Sequence, residues 1–245
     1  MRYLILFIVL LFPSQCFADA GFIAELGSAV VENGSCPALT GNLATEDFSG
    51  SGLAGTIFES DDANVTDPDD YNDTSITAGC FDGQSFIASG SDHWTRITSW
   101  TEPVIYYETD FYLSSESLND GDEESVISLS NNSPTEIAIN IKQASGSLYF
   151  SVNFGNGIYQ GSDVPAATGV AYRLGLYHNN TTDTGAWVIY SYATESNLDT
   201  WSGSVSASLG NNGGGYAGPV NGTSSYTGHF DNVEFDDTGW MQLSP

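Results

Sequence analysis

The stretch VIYYETDFYL, Val104 to Leu113, decides the fold. In an extended strand successive side chains point to opposite sides, so Ile105, Tyr107, Phe111 and Leu113 share one face, while Val104, Tyr106, Glu108, Asp110 and Tyr112 share the other. One face is greasy and the other sets two carboxylates among tyrosines. The same period recurs outward along the chain. In LYFSVNF, Leu148, Phe150, Val152 and Phe154 oppose Tyr149, Ser151 and Asn153; Ile137, Ile139 and Ile141 alternate, as do Tyr172, Leu174 and Leu176, and WVIYSY (Trp187 to Tyr192) is a further strand. Turn-forming clusters of Gly, Ser, Thr, Asn and Asp separate these runs, and no apolar pattern of helical period exceeds two turns. The expectation is an all-β, two-sheet antiparallel sandwich, almost free of helix.

The N-terminus reads differently. Arg2, an apolar run from Tyr3 to Phe12 and the sequence Ala18-Asp19-Ala20 form a secretory signal peptide, too short for a permanent membrane anchor. Residues 1–20 are therefore expected to be removed, residues 21–42 to form an N-terminal extension, and residues 43–245 to form one sandwich domain. Localisation follows: secreted, at the cell surface or in the periplasm.

The chain has 31 Asp and Glu against four Lys and Arg, a formal charge of −27. Nucleic acid is excluded as a partner, because phosphate binding requires cations that displace counterions, and insertion into a membrane is excluded for want of a long apolar segment. Disorder is excluded as well, since 40% hydrophobic and 13% aromatic residues can build a large core. Salt adaptation or carboxylate cages for Ca²⁺ are the two explanations of the acidity.

Beyond the leader, Cys36 and Cys80 remain, an even number in an oxidising compartment. A disulfide closing a loop of about 45 residues is expected, worth about 4 kcal/mol by the loop-entropy argument. A zinc site is the weaker alternative, because no His lies near either cysteine.

A series of motifs then carries a resemblance. EDFSG (Glu46 to Gly50), CFDGQSF (Cys80 to Phe86), YYETDFYL, IAINIK, GSLYFSVNFG, AYRLGLYHN and the closing GHFDNVEFDDTGW resemble, in that order, the concanavalin A-like jelly roll of the laminin-G-like type. The resemblance implies a jelly-roll topology for nearly the whole chain after the leader, and a structural Ca²⁺ between first and last strands, held by Asp231 with Glu46 and Asp47. Ca²⁺ takes six to eight oxygens, so these carboxylates would be completed by carbonyls and water. The acidic loop from Asp61 to Asp73 is a second candidate for Ca²⁺, but it lacks the central Gly and terminal Glu of an EF-hand and reads as solvated.

Some jelly rolls are glycosidases with E-x-D-x-x-E on one strand. Glu108 and Asp110 match the first two positions, but Leu113 stands where the acid/base is needed, which argues against hydrolysis by a carboxylate pair. The remaining chemistry suits sugars. Tyr106, Glu108, Asp110, Tyr112, Tyr149, Asn153 and Arg173 are expected to line a ligand-binding face, rings stacking on sugars and polar groups bonding to hydroxyls. The function expected is a non-catalytic, lectin-like protein whose partner is a glycan or polysaccharide. A structural or adhesive surface subunit is the alternative, and a polysaccharide-degrading enzyme comes third.

Overall fold

The computed structural model describes residues 36, 38–46, 58–59, 76, 78–81, 85–89, 95–97, 102–130, 136–154, 163–205, 214–218 and 226–243. The expected leader, the acidic loop 61–73 and Asp47 lie outside them.

Among the described residues, fourteen strands form two antiparallel sheets. The first sheet contains β1 (Ala44–Glu46), β3 (Phe86–Ser89), β5 (Val104–Glu116), β10 (Ala171–Asn179), β11 (Thr184–Ser191), β12 (Ser196–Ser204) and β14 (Tyr226–Asp236). Its order is β1-β14-β5-β10-β11-β12, and β3 shares with β1 the outer edge of β14. The second sheet contains β2 (Phe58–Glu59), β4 (Thr95–Ile97), β6 (Glu123–Ser130), β7 (Glu136–Ala144), β8 (Ser147–Phe154), β9 (Val164–Pro165) and β13 (Gly214–Ala217), in the order β2-β4-β13-β6-β7-β8-β9. No described residue is helical. The all-β, two-sheet antiparallel sandwich expected from the alternation is thus what forms.

The core lies between the sheets and is made by the apolar phase of each strand. Tyr107, Phe111 and Leu113 of β5 and Phe150 and Phe154 of β8 are fully buried there. Tyr107 stacks on Phe235 at 4.3 Å, and Phe111 meets Phe230 at 5.2 Å and, across the sandwich, Phe150 at 6.2 Å. Two tyrosines of the first sheet bring a hydroxyl into this apolar layer and satisfy it on the second. Tyr107 donates to the carbonyl of Tyr216 (3.2 Å) and Tyr226 to that of Ser125 (2.7 Å). Burial raises the phenol pKa of both, so they remain neutral donors tying the sheets together.

The disulfide between Cys36 and Cys80 forms, with Cα atoms 5.4 Å apart. It fastens the segment before β1 beside a small satellite cluster of Ile76, Phe81 and Ala171 on the outer face of the first sheet.

One irregularity positions the candidate site. Between Asp231 and Glu234 the register of β14 on β5 shifts, so that Asp231 faces Asp110 and Glu234 faces Glu108, with an extra residue on β14 between the pairs. Asn232 takes φ +49° there. Asn tolerates the left-handed region, and a bulge re-aims the side chains around it. Asp231 and Glu234 thereby share the outer face, while Phe230, Val233 and Phe235 stay in the core.

Candidate functional site

Each sheet turns one face outward, and the residues expected to bind a ligand are divided between these two faces. Tyr106, Glu108, Asp110 and Tyr112 on β5 and Arg173 on β10 lie on the outer face of the first sheet, in neighbouring strands, with Arg173 opposite Asp110. Tyr149 and Asn153 on β8 lie on the outer face of the second. Alternation placed each side chain on the polar side of its strand; sheet membership, which alternation does not carry, separates the two groups by the thickness of the sandwich.

On the first sheet the polar residues engage one another. Arg173 is 2% exposed and Glu108, Asp110 and Glu234 are 0% exposed. Arg173 Nε donates to Glu108 Oε2 (3.0 Å), Nη1 to Asp110 Oδ1 (3.1 Å) and to the Asn232 carbonyl (3.3 Å), and Nη2 to Glu234 Oε2. One guanidinium thus serves three carboxylates, and further donors complete each of them. Asp110 accepts from the Tyr192 hydroxyl (2.7 Å) and from Asn232 Nδ2 (2.8 Å). Glu234 Oε1 accepts from the backbone N–H of Thr40 and Gly41, and Oε2 from Gln242 Nε2 (2.6 Å). Glu108 accepts the consecutive backbone N–H groups of Met241 (2.9 Å), Gln242 (3.1 Å) and Leu243 (3.2 Å).

The C-terminal residues 240–243 therefore fold back over the sheet, as the packing at Gly175 also shows. A Cβ there would meet Leu243 Cδ1 at 2.6 Å and Trp240 Cζ3 at 2.7 Å. Trp240 also packs edge-on to Tyr106 at 5.2 Å, and Tyr106 lies 4.6 Å from Tyr177. Tyr112 is T-shaped against Phe81 and His229. With residues 240–243 seated, Glu108, Asp110 and Arg173 are sealed from solvent, and their partners are protein groups. Among the acids of the last strand, Glu234 is answered by the guanidinium of Arg173, and Asp236 by Thr238, Gly239 and Asn42.

The electrostatics follow from burial. Desolvation works against the Arg173 charge, but Asp110 and then Glu108 outweigh it and its pKa rises, so the guanidinium stays protonated. Burial, the largest influence on Glu234, pushes that carboxyl above its ordinary range against the opposing pull of Arg173 and the Thr40 N–H.

Of the residues expected to hold calcium, Asp47 lies outside the described residues. Register sets Glu46 opposite Val233, a core position, rather than opposite Asp231. Asp231 is buried and its Oδ1 accepts from the Asn232 N–H at 2.7 Å. Among the described residues no group of three His, Cys, Asp or Glu is placed to hold a metal ion.

The outer face of the second sheet has a different chemistry: short hydrogen-bonding side chains aligned in rows across strands, with Glu123 and Lys142 in an end row. Ser125, Asn140 and Ser151 form one row, and Ser128, Ala138 and Asn153 the next. Tyr216 on β13 stands opposite Ser128 and extends that second row. Glu123 Oε1 gathers the first row, accepting from Asn140 Nδ2 (2.8 Å) and Ser151 Oγ (2.6 Å), while Ser125 Oγ donates to Asn140 Oδ1 (3.2 Å). At the far end Tyr149 is half-buried beside Lys142, whose ammonium pairs with Asp163 at 2.7 Å. Successive rows are about 6.8 Å apart along a strand and neighbouring positions in a row about 4.8 Å apart. Sequence reading missed Glu123, Ser128 and Asn140, since it could not tell which strands stand side by side. Gly175 and Asn232 did carry a local signal, a glycine inside an apolar strand and an Asp-Asn step inside another.

No protein-family model and no curated protein matches the chain. Solved structures do. A Bacteroides ovatus xyloglucan-locus GH43B matches with TM-score 0.53 and 15% identity over 84% of this chain and 41% of that one. The cellulose-induced protein Cip1 matches with TM-score 0.51 and 12% identity over 79% and 97%. A legume lectin-like domain from Entamoeba histolytica follows at TM-score 0.42 and 11% identity over 63% and 82%. The chain spans less than half the length of the first of these. At such identities the first two likenesses establish a shared β-sandwich fold and nothing finer.

Proposed function

We propose that this chain is a secreted, non-catalytic carbohydrate-binding protein of the concanavalin A-like, laminin-G-like type, and that its glycan lies against the outer face of the second sheet. The observation that carries this reading is the contrast between the two faces. On the first sheet the polar groups are consumed by one another and by the terminal segments. On the second, hydroxyl and amide side chains lie in cross-strand rows in which Ser125, Asn153 and the ring of Tyr149 stay part-exposed, while Ser128, Asn140 and Ser151 are buried. Hydroxyls and amides at strand spacing suit a ligand that is itself a string of hydroxyls, and a half-buried tyrosine suits the apolar face of a sugar ring. The fold shared with the GH43B structure and Cip1, whose names refer to xyloglucan and cellulose, agrees with a carbohydrate partner. Catalysis is not part of the proposal, because Glu108 and Asp110 belong to a sealed cluster on the other sheet.

The test is retention on a glycan array, with and without EDTA, for the wild type and for Tyr149→Ala. Selective retention weakened by the substitution supports the reading. Absence of retention from every glycan would replace it with the surface-subunit alternative. Loss of retention on EDTA alone would point to the structural Ca²⁺ expected between the first and last strands.

A further inference from the structure

One row of the second sheet stays within reach of solvent along its whole length. Glu123 on β6 stands opposite Lys142 on β7, Lys142 opposite Tyr149 on β8, and Tyr149 opposite Pro165 on β9. The first three are half-buried and Pro165 is exposed. In the rows beyond, Asn140, Ser151, Ser128 and Ala138 are buried. A ligand running along β7 or β8 would therefore cross sealed positions, whereas one running across the strands meets an accessible side chain on each. Three strand spacings of about 4.8 Å make this row about 14 Å long, the reach of a short oligosaccharide rather than of one sugar.

The row holds the three kinds of group that a sugar ring engages. The outward tyrosines of the first sheet pack ring on ring, Tyr106 on Tyr177, Tyr112 on Phe81 and Tyr190 on Tyr192. Tyr149 has no such ring against it and no hydrogen bond to its hydroxyl among the described residues, and Pro165 extends the apolar ledge beside it. Such a ledge stacks on the C–H face of a sugar. Glu123 supplies a fixed acceptor, because its Oε1 is held by Asn140 Nδ2 (2.8 Å) and Ser151 Oγ (2.6 Å). Lys142 supplies donors. The buried Asn140 and Ser151 thus act through Glu123, without touching a ligand. Charge narrows the class further. Lys142 pairs with Asp163 at 2.7 Å, so the carboxylates of Glu123 and Asp163 already attend one ammonium. A uronate would bring a third, on a chain of formal charge −27.

Resting on the proposed function, we infer that the row Glu123, Lys142, Tyr149 and Pro165 is the subsite for an uncharged oligosaccharide that runs across the strands, one ring stacked on Tyr149 and its hydroxyls bonded to Glu123 and Lys142. Anionic chains are excluded by charge, so the exclusion is strongest at low salt.

The experiment is affinity electrophoresis of the full chain at low salt through gels containing hydroxyethyl cellulose, galactomannan, dextran or polygalacturonate, with titration calorimetry of variants on the neutral polymer that retards most. Retardation is expected from a neutral polymer and not from polygalacturonate. Tyr149→Ala should weaken binding about tenfold, while Tyr149→Phe, which keeps the ring, should stay within about twofold. Orientation is read from two further variants. Pro165→Ser, at the end of the row, should weaken binding about threefold through lost apolar contact, and Asn153→Ala, further along β8, should leave it unchanged. Neutral binding that survives Tyr149→Ala, or that falls with Asn153→Ala and not with Pro165→Ser, would overturn the subsite and leave the lectin reading intact. Polygalacturonate retarding as strongly as the best neutral polymer would overturn the assignment to uncharged chains. No retardation in any gel would overturn the lectin reading itself.

Discussion

Replacing Arg173 by Met keeps the length and most of the volume of the side chain but deletes its charge. Glu108, Asp110 and Glu234, all fully buried, then face one another without a cation. Removing one partner of a buried ion pair costs about 3–5 kcal/mol, chiefly from the charge left behind. Three carboxylates share this one guanidinium, so the upper part of that range applies, about 4–5 kcal/mol. That is a large fraction of the roughly 5–15 kcal/mol that holds a typical domain folded. At about 2–4 °C per kcal/mol for a chain of this size, the melting temperature should fall by about 10–20 °C. Arg173→Lys, which keeps the charge but loses the planar fork, should fall in between. Adding Glu234→Gln to Arg173→Met should restore part of the loss, because it removes one uncompensated charge, and the two effects should therefore be non-additive. Urea unfolding and calorimetry measure all four proteins. A loss below about 1 kcal/mol for Arg173→Met, or simple additivity in the double variant, would show that the cluster is not the electrostatic centre of the first sheet.

Other outcomes follow from the same geometry. Gly175→Ala sets a methyl into Leu243 and Trp240 and should cost about 1–3 kcal/mol as overpacking; hydrogen exchange at the amides of Met241 and Leu243 should quicken, and unchanged protection there would mean that residues 240–243 do not seat on Glu108. The raised pKa of Glu234 carries a definite sign: its contribution is complete below the ordinary carboxyl value of 4.5 and is lost as pH climbs through the higher folded value. A melting temperature that falls across this window in the wild type, and falls less in Glu234→Gln, is the expected result. Asp236 has the opposite sign. Burial raises its pKa, but the Thr238 hydroxyl and the N–H groups of Thr238, Asn42 and Gly239 outweigh it and lower it, so its small contribution disappears only in strong acid. Reducing the Cys36–Cys80 disulfide, which spans 44 positions, should cost about 4 kcal/mol, read as a melting shift in dithiothreitol.

What could be read from the sequence was whatever period two encodes. The phase of β5 and β8 predicted which side chains enter the core, down to Tyr107 and Phe111 inside and Glu108 and Tyr149 outside. The pairing of Cys36 with Cys80 was likewise foreseen. Strands without a contrast of phase were not visible. β12 (SNLDTWSGS) is polar almost throughout, and β13 (GGYA) hides in a glycine-rich stretch that reads as loop. The burial of Glu108, Asp110 and Arg173 was hidden for a related reason. Glu108, Asp110 and Arg173 were correctly set on the polar side of their strands, but an outward side chain is exposed only if nothing returns to cover it. The covering segment, Trp240 to Leu243, follows the last strand and has no periodic signature. Its seat is marked only by Gly175, a glycine where a strand would prefer a branched side chain.

The most direct measurement is chemical-shift mapping of the backbone amides of the full chain during titration with a neutral polysaccharide fragment. Perturbations should gather on Glu123–Ser130, Glu136–Ala144 and Ser147–Phe154, while Glu108, Arg173 and Met241 stay still. Perturbations confined to β5, β10 and residues 240–243 would place the ligand on the wrong sheet and contradict the central claim.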